Sequence, residues 1–328
     1  MKGGVGMVKE TKLMTMKDAI SKFVDDGMTL YISAVWANQA SAAAHEIIRQ
    51  GKKDLTVIES SPGELLDHMI GAGCLKRAIL SWSANEAFGT GYRFRRAVEK
   101  GEIEVEDYSN FGLTTKLMAG AMGLPFMPIL SQMGSSIDGI RGFLGEKKLR
   151  HMSCPFTDKK VTLISGINPD VSIVHCQRAD EEGNLQVWGS LFSMKWGALA
   201  GKTIIASVEE IVDTETIRRN PELTLVPGFR VAAVVHEPWG AHPGHVFGHY
   251  DDDRWFRYNY ANFFADDDQK FKQFMDEWVY GVADRSAYIK HYIDKFGYNR
   301  LMRLKPKPFY TDPINYGTYS FDTLHMDS

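Results

Sequence analysis

Cysteine is scarce in this chain: Cys74, Cys154 and Cys176 are odd in number and widely spaced. No pair has the close spacing of a zinc site, and a chain of 328 residues can build a core without a disulfide framework. With fifteen methionines beside them, free thiols fit a reducing cytoplasm, and buried apolar cysteines are the expectation. Long hydrophobic runs are also missing. None approaches the ~20 residues that span a bilayer, and Met1-Lys2-Gly3-Gly4-Val5-Gly6 has no apolar stretch behind its lysine, so no signal peptide is expected there. Nor is there an excess of positive charge. The net charge of −3 makes nucleic acid and anionic membrane poor partners.

Several chemical fingerprints are absent too. There is no G-x-x-x-x-G-K-[ST], and no G-x-G-x-x-G opens a helix after the first strand. H-E-x-x-H is missing, as is the G-x-S-x-G of a serine hydrolase. No basic helix-turn-helix marks a regulator of transcription. The histidines at 236, 242, 245 and 249 form a cluster, but His242 and His245 flank a Pro243-Gly244 turn with no helix to fix them as ligands, and no metal is expected.

What remains is an ordinary globular composition, 44% hydrophobic and 24% charged, arranged in alternating strand and helix signals. Thr15 reads as an N-cap, with Ile20, Phe23 and Val24 in helical spacing and Asp25-Asp26-Gly27 as the stop. Residues 28–33 read as a strand, 40–50 as a helix closed by Gly51, and 55–58 as the next strand. A helix near 63–70, a break at Gly71-Ala72-Gly73 and a strand at 75–80 follow. Then come a helix over 93–100, a strand over 102–106 and a helix from about Ser109 to Met122. The second half adds strands at 161–164, 171–176, 202–206 and 231–236, and an aromatic, acidic segment from Trp255 to Tyr280 that reads as a helix packed on the outside. Connections this short between alternating elements predict a parallel sheet with helices on both faces. Residues 1–13 read as a disordered start, and 14–328 as one domain with a C-terminal extension from about 250.

Open α/β sheets bind ligands at the carboxyl ends of their strands. Small and polar residues gather in four loops there: 33–38, 59–64, 81–86 and 131–136. Such residues let backbone amides approach a ligand, although Ser and Asn also N-cap the following helix, and both readings stay open. Glu59 follows an apolar strand and precedes Ser60-Ser61-Pro62-Gly63, where a nucleophile or base could meet substrate. A carboxylate there also suits the positive end of the next helix.

Longer stretches resemble one family. Asp54-Leu55-Thr56, Ile70-Gly71-Ala72-Gly73, Arg93-Phe94-Arg95-Arg96, Glu106-Asp107-Tyr108-Ser109 and Gly123-Leu124-Pro125-Phe126-Met127-Pro128 resemble the alpha subunits of glutaconate CoA-transferases. The run from Asp170 to Gln177, with Gly183-Asn184, is similar to class I coenzyme A-transferases as a whole. Val187-Trp188-Gly189, Glu209-Glu210-Ile211, Pro227-Gly228 and Gly240-Ala241-His242-Pro243 extend the resemblance, which spans about Met14 to Leu304. It implies a three-layer α/β/α fold with a mainly parallel sheet and a C-terminal helical extension. It also implies a cytoplasmic, heteromeric acyl-CoA:carboxylate CoA-transferase, a heterotetramer or larger, whose partner is a beta subunit. Acyl-CoA and a small carboxylic acid are the implied substrates, and no cofactor is permanently bound. In that family a beta-subunit glutamate attacks the thioester and becomes a glutamyl-CoA thioester, so this chain would form one wall of a shared site. Ser60, Ser61, Gly63, Ser83, Asn85, Gly134 and Ser135 are the expected substrate- and CoA-binding residues. His175 and the segment 240–243 are expected to shape the core and the intersubunit surface.

Two departures stand out. Ser33-Ala34 replaces a common Gly-Gly pair, and Glu59-Ser60-Ser61-Pro62 replaces a glycine-rich loop. They imply a changed pocket and make Glu59 a candidate catalytic carboxylate from the alpha side. Trp36, Trp82, Phe88 and Tyr92 near the mouth suit an acyl chain larger than acetyl, or serve as ordinary core aromatics. A ring-cleaving acyl-CoA hydrolase on the same scaffold is the alternative enzyme, although Glu106-Asp107-Tyr108-Ser109-Asn110 follows the transferase pattern. A non-catalytic ligand-binding protein is the alternative outside enzymes.

Overall fold

The first half of the chain folds within a residue or two of where its patterning points. The computed structural model describes residues 11–33, 36–85, 88–139, 142 and 148–306, so all but the last few residues of the expected disordered start lie outside the described ones. Thr15 caps α1 (Met16–Phe23), its Oγ accepting the Asp18 amide at 3.1 Å. β1 (Thr29–Ile32), α2 (Ser41–Arg49), β2 (Leu55–Ile58), α3 (Glu64–Gly71), β3 (Leu75–Leu80), α4 (Tyr92–Glu99), β4 (Glu104–Asp107) and α5 (Asn110–Ala121) follow in turn. Ser109 caps α5 by accepting the Gly112 amide at 3.0 Å.

The second half departs more from expectation. β5 (Phe126–Ile129), β6 (Leu149–Ser153) and β7 (Lys160–Ser165) form a separate antiparallel sheet in the order β5-β7-β6. Of these, only β7 was legible as a strand. β8 (Val171–Ala179), β9 (Leu185–Gln186), α6 (Met194–Ala200), β10 (Thr203–Ile211), α7 (Thr214–Arg218), β11 (Thr224–Val226) and β12 (Val231–His236) then complete the main sheet. Trp255 to Tyr280 is not one helix. It divides into α8 (Arg254–Asn259) and α9 (Asp268–Met275), each running on into a π-helical turn. The break falls where Asp267 starts a new helix by accepting the Lys270 amide at 2.8 Å. α10 (Arg285–Phe296) and α11 (Tyr298–Met302) end the described chain.

The main sheet runs β4-β3-β2-β1-β8-β10-β12, with every neighbouring pair parallel. A short β9–β11 pair continues the β1 side of β8 beyond the end of β1. The chain builds outward from β1 to β4 and then returns to build the other way from β8. β1 and β8 therefore flank a topological switch point, where such sheets form a crevice at their carboxyl ends.

Period-two alternation feeds a core on each face. Leu30, Ile32, Val57 and Ile173 join α1–α4 and the C-terminal helices on one side, while Tyr31, Ile58, Val174 and Cys176 join α5, α6 and the small sheet on the other. Each such aliphatic side chain contributes roughly 1.5–3 kcal/mol by leaving water. The C-terminal segment adds a helical layer over α2, α3 and α4, with Phe271 against Gly71 and Tyr260 edge-on to His68. Among the described residues no helix is long and apolar enough to cross a membrane. Cys74 and Cys176 are buried, whereas Cys154 is half-buried in a turn.

Candidate functional site at the strand ends

β2 is buried along its whole length and places Glu59 at its carboxyl end, beside β1. The Glu59 amide still donates to Ile79 O at 3.1 Å, so the residue is held as an extension of the strand. Its carboxylate is only 1% exposed. Oε1 accepts from the Ser60 amide at 2.6 Å, the Ser60 hydroxyl at 3.0 Å and the Ser193 hydroxyl at 2.9 Å. Ser193 stands just before α6 and lies 3.1 Å from the Tyr31 hydroxyl of β1. Burial, and after it the charge of Glu59, push the Tyr31 phenol well above its ordinary pKa, so it stays a neutral hydroxyl. Oε1 thus takes an amide and two hydroxyls among its donors. Such a set stabilises charge without neutralising it.

The neighbouring loops are tied to the same spot. The Ser81 and Trp82 amides both donate to Ser60 O, at 3.0 and 3.2 Å. Ser61 donates to Asn110 Oδ1 at 2.9 Å, linking the loop after β2 to the start of α5. Gly63 is the N-cap of α3. After β1, Ser33 Oγ donates to Asn38 O at 2.9 Å, and Asn38 Nδ2 reaches His175 O and Gln177 Oε1, each at 3.1 Å. Ala34, Val35 and Glu86 of the expected loops lie outside the described residues.

The expected residues thus divide. Glu59, Ser60 and Ser61 come together at the end of β2. Ser83 and Asn85 lie further along the loop after β3, and buried Asn85 turns inward to Thr90 O at 2.8 Å and Asp67 Oδ2 at 3.5 Å. Gly134 and Ser135 belong to the turn leaving β5, where the Gly134 amide donates to Asp138 Oδ2 at 3.1 Å and Ser135 Oγ to Gln132 O at 2.6 Å. They line a cavity with His151 and Arg150 on the small sheet. Trp36 and Phe88 line a cavity of about 200 Å³ with His245, Asp251, Asp252, Arg254 and Arg257.

His175 is fully buried, with Nδ1 2.8 Å from Ser207 Oγ and Nε2 2.7 Å from Glu209 Oε1. Glu209 also accepts from the Tyr250 hydroxyl at 2.5 Å and the Trp239 amide at 2.8 Å. His242 is likewise inside, between Tyr288 at 2.9 Å and Asp253 at 3.2 Å, and precedes a cis peptide bond to Pro243. No three His, Cys, Asp or Glu side chains among the described residues are placed to hold a metal ion. Sequence reasoning missed Ser193, Tyr31 and Glu209. A small polar residue before α6 was the available sign of Ser193, but α6 itself had not been anticipated.

Comparison with known proteins identifies the family. A family model described as coenzyme A transferase matches residues 13–237. The A-subunit of the 3-oxoadipate CoA-transferase of Pseudomonas knackmussii is 36% identical over 280 residues, covering 84% of this chain and 96% of its own. The A-subunit of the glutaconate CoA-transferase of Acidaminococcus fermentans is 34% identical over 311 residues, 91% of this chain and 96% of its own. The crystal structure of that glutaconate coenzyme A-transferase superposes with a TM-score of 0.83 over 91% of this chain and 96% of the matched one. The cholesterol ring-cleaving hydrolase IpdA subunit of Rhodococcus jostii is 30% identical, covering 84% of this chain and 94% of its own. Fold, order of elements and near full-length sequence agreement coincide, and the chain belongs to the class I coenzyme A transferase family, in its A-subunit branch.

Proposed function

We propose that this chain is the alpha subunit of an acyl-CoA:carboxylate CoA-transferase whose attacking glutamate stands on a beta subunit. The observation that carries the reading is the enclosure of Glu59, which is buried and already accepts three hydrogen bonds through Oε1. A nucleophile must reach its electrophile, and a carboxylate so engaged serves better to brace its surroundings. Around it the loops present exposed apolar side chains: Trp36 and Trp82 after β1 and β3, Phe111 beside Asn110, and Phe192 beside Ser193. Exposed apolar groups rimming a polar centre suit a face that a partner covers.

In this reading a beta-subunit carboxylate attacks the acyl-CoA carbonyl, forming a mixed anhydride and releasing the CoA thiolate. The thiolate attacks the enzyme-side carbonyl, giving a glutamyl-CoA thioester and freeing the first acid. The acceptor carboxylate repeats the sequence in reverse and leaves as the new acyl-CoA. Ser60, Ser61 and Trp82 belong to the wall against which the acyl group lies, and Glu59 keeps that wall in register. The chain acts in the cytoplasm on an acyl group larger than acetyl.

Co-purification with the beta subunit, exposure to acyl-CoA and reduction with borohydride test the reading. Mass spectrometry should find the reduced adduct on a beta-subunit glutamate. An adduct on Glu59 would move the nucleophile into this chain. Consumption of acyl-CoA with no adduct would favour the ring-cleaving hydrolase, the second reading, which the IpdA relative supports at lower identity than the two transferases. Full activity of the beta subunit without this chain would reduce it to a structural partner.

A further inference from the structure

α4 begins without a cap of its own. Its N-cap, Gly91, offers no side-chain hydrogen bond, and its first turn holds no acidic residue. The amides that open a helix need acceptors, and here they come from another element. Asp67 of α3 accepts the Phe94 amide at 3.1 Å through Oδ1. Its Oδ2 lies 3.5 Å from Asn85 Nδ2, which also donates to Thr90 O at 2.8 Å. The Asn85 amide donates to Gly89 O at 2.8 Å, and the Phe88 amide to Asn85 O at 3.0 Å. The packing leaves little slack: a Cβ added to Gly91 would stand 3.2 Å from Asp67 Oδ1 and 3.4 Å from Ser83 Oγ. One buried carboxylate thereby holds the middle and the end of the connection between β3 and α4.

That connection carries two aromatic side chains. Trp82 is 45% exposed beside Ser60 O, and Phe88 faces the cavity it shares with Trp36. We propose that Asp67 is a positioning residue, whose carboxylate, acting through Asn85, sets Phe88 beside Trp36 where an acyl group enters. This rests on the acyl-CoA reading above.

The electrostatics fit a residue kept for position rather than stability. Arg93 of α4 is the cation beside Asp67. Glu64 and His68 lie on the same helix, and Tyr260 faces Asp67 and Glu64 from the C-terminal layer. Arg257 of α8 is taken up by Glu64 and Asp252, each at 2.7 Å, and His45 of α2 approaches His68 at 3.4 Å. Burial raises the Asp67 carboxyl to about 6, against the lowering effect of the Phe94 and Arg93 amides. A carboxyl raised on folding contributes stability below its unfolded value and loses it as pH rises through the folded one. At neutral pH the ionised Asp67 therefore weakens the fold, while its charge strengthens the bonds to the α4 amides. A neutral asparagine of the same shape reverses both effects.

The test uses the full chain, co-expressed with its beta subunit, as wild type, Asp67→Asn and Asn85→Ala. Amide hydrogen exchange at Asn85, Phe88 and Phe94, corrected for intrinsic rate between about pH 5 and 8, reads the tether without any assay of activity. Wild-type protection should fall as pH drops through about 6. Asp67→Asn should be less protected and flat with pH, with Tm at pH 7 equal to or above wild type. Asn85→Ala should loosen Phe88 and leave Phe94 protected. In the assembled enzyme, Asp67→Asn should raise KM for acyl-CoA roughly tenfold with kcat nearly unchanged, the pattern of lost binding rather than lost chemistry. Unchanged exchange in Asp67→Asn overturns the tether. Loosened exchange with unchanged KM overturns its role at the mouth, and a lowered Tm with kcat and KM both impaired makes Asp67 merely structural. A wild-type complex that leaves acyl-CoA untouched refutes the transferase reading instead, and exchange still decides whether Asp67 holds the loop.

Discussion

Two buried glutamates stand in the same parallel sheet and are held by different means. Glu209, within β10, meets His175 from the neighbouring β8, the Tyr250 hydroxyl and the Trp239 amide. Burial pushes its carboxyl up, but the hydrogen bond and charge of His175, helped by Tyr250 and Trp239, outweigh that and hold it below the usual carboxylate range. Glu59, at the end of β2, takes neutral donors on Oε1, two of them from its own chain neighbour and one from Ser193. A carboxylate sunk among strands needs a strong partner to offset desolvation. Glu59, at least as buried, is reached by an amide and two hydroxyls, and the network they form belongs to the loops.

The strongest way to break this contrast is Glu209→Ala. It leaves His175 and Tyr250 buried without their acceptor and should cost about 3–5 kcal/mol, read as a shift of the urea midpoint. Because folding lowers the Glu209 carboxyl, its contribution is complete above the unfolded value of about 4.3 and vanishes as pH falls through the folded one. The variant should lack that part of the acid unfolding limb.

Next in size is Gly197→Ala. A Cβ there would lie 2.2 Å from Tyr31 Cζ, an overpacking worth about 1–3 kcal/mol. The ring would have to move, taking the hydroxyl away from Ser193, so activity of the assembled enzyme should fall along with Tm. Retained activity would show that the Tyr31–Ser193–Glu59 chain does not govern the mouth.

Glu59→Gln should destabilise by only about 1.5 kcal/mol, since an amide oxygen can still accept from Ser60 and Ser193. Turnover should fall by more than that loss of stability accounts for, and unchanged turnover would remove Glu59 from the site. The smallest effect is expected outside both networks. Thr15→Ala removes the cap of α1 and should cost about 1 kcal/mol, with activity unaltered.

Local signals account for most of what was legible. The caps Thr15 and Ser109 and the apolar strands β1 to β3 lie where their own neighbours place them. Their information travels over three or four residues, the range of a turn or of an alternating face. β5 and β6 were not legible, because Pro128 interrupts the short apolar run of β5, a residue that argues against a strand, and β6 is mostly polar and exposed. The helix read from Trp255 to Tyr280 failed at Asp267, whose side chain prefers to cap a new helix.

By itself, then, the sequence determined the parallel α/β scaffold and the family to which it belongs. Tertiary structure alone decided which side chains meet there. Ser193 reaches Glu59 across 134 positions, Asp67 caps a helix that starts well beyond its own, and His175 finds Glu209 on a neighbouring strand. Hydrogen bonds between groups so far apart in the chain leave no periodicity in the residues around them. They exist only after the sheet has closed and water has been excluded, when a buried polar group must find a partner or pay for its desolvation.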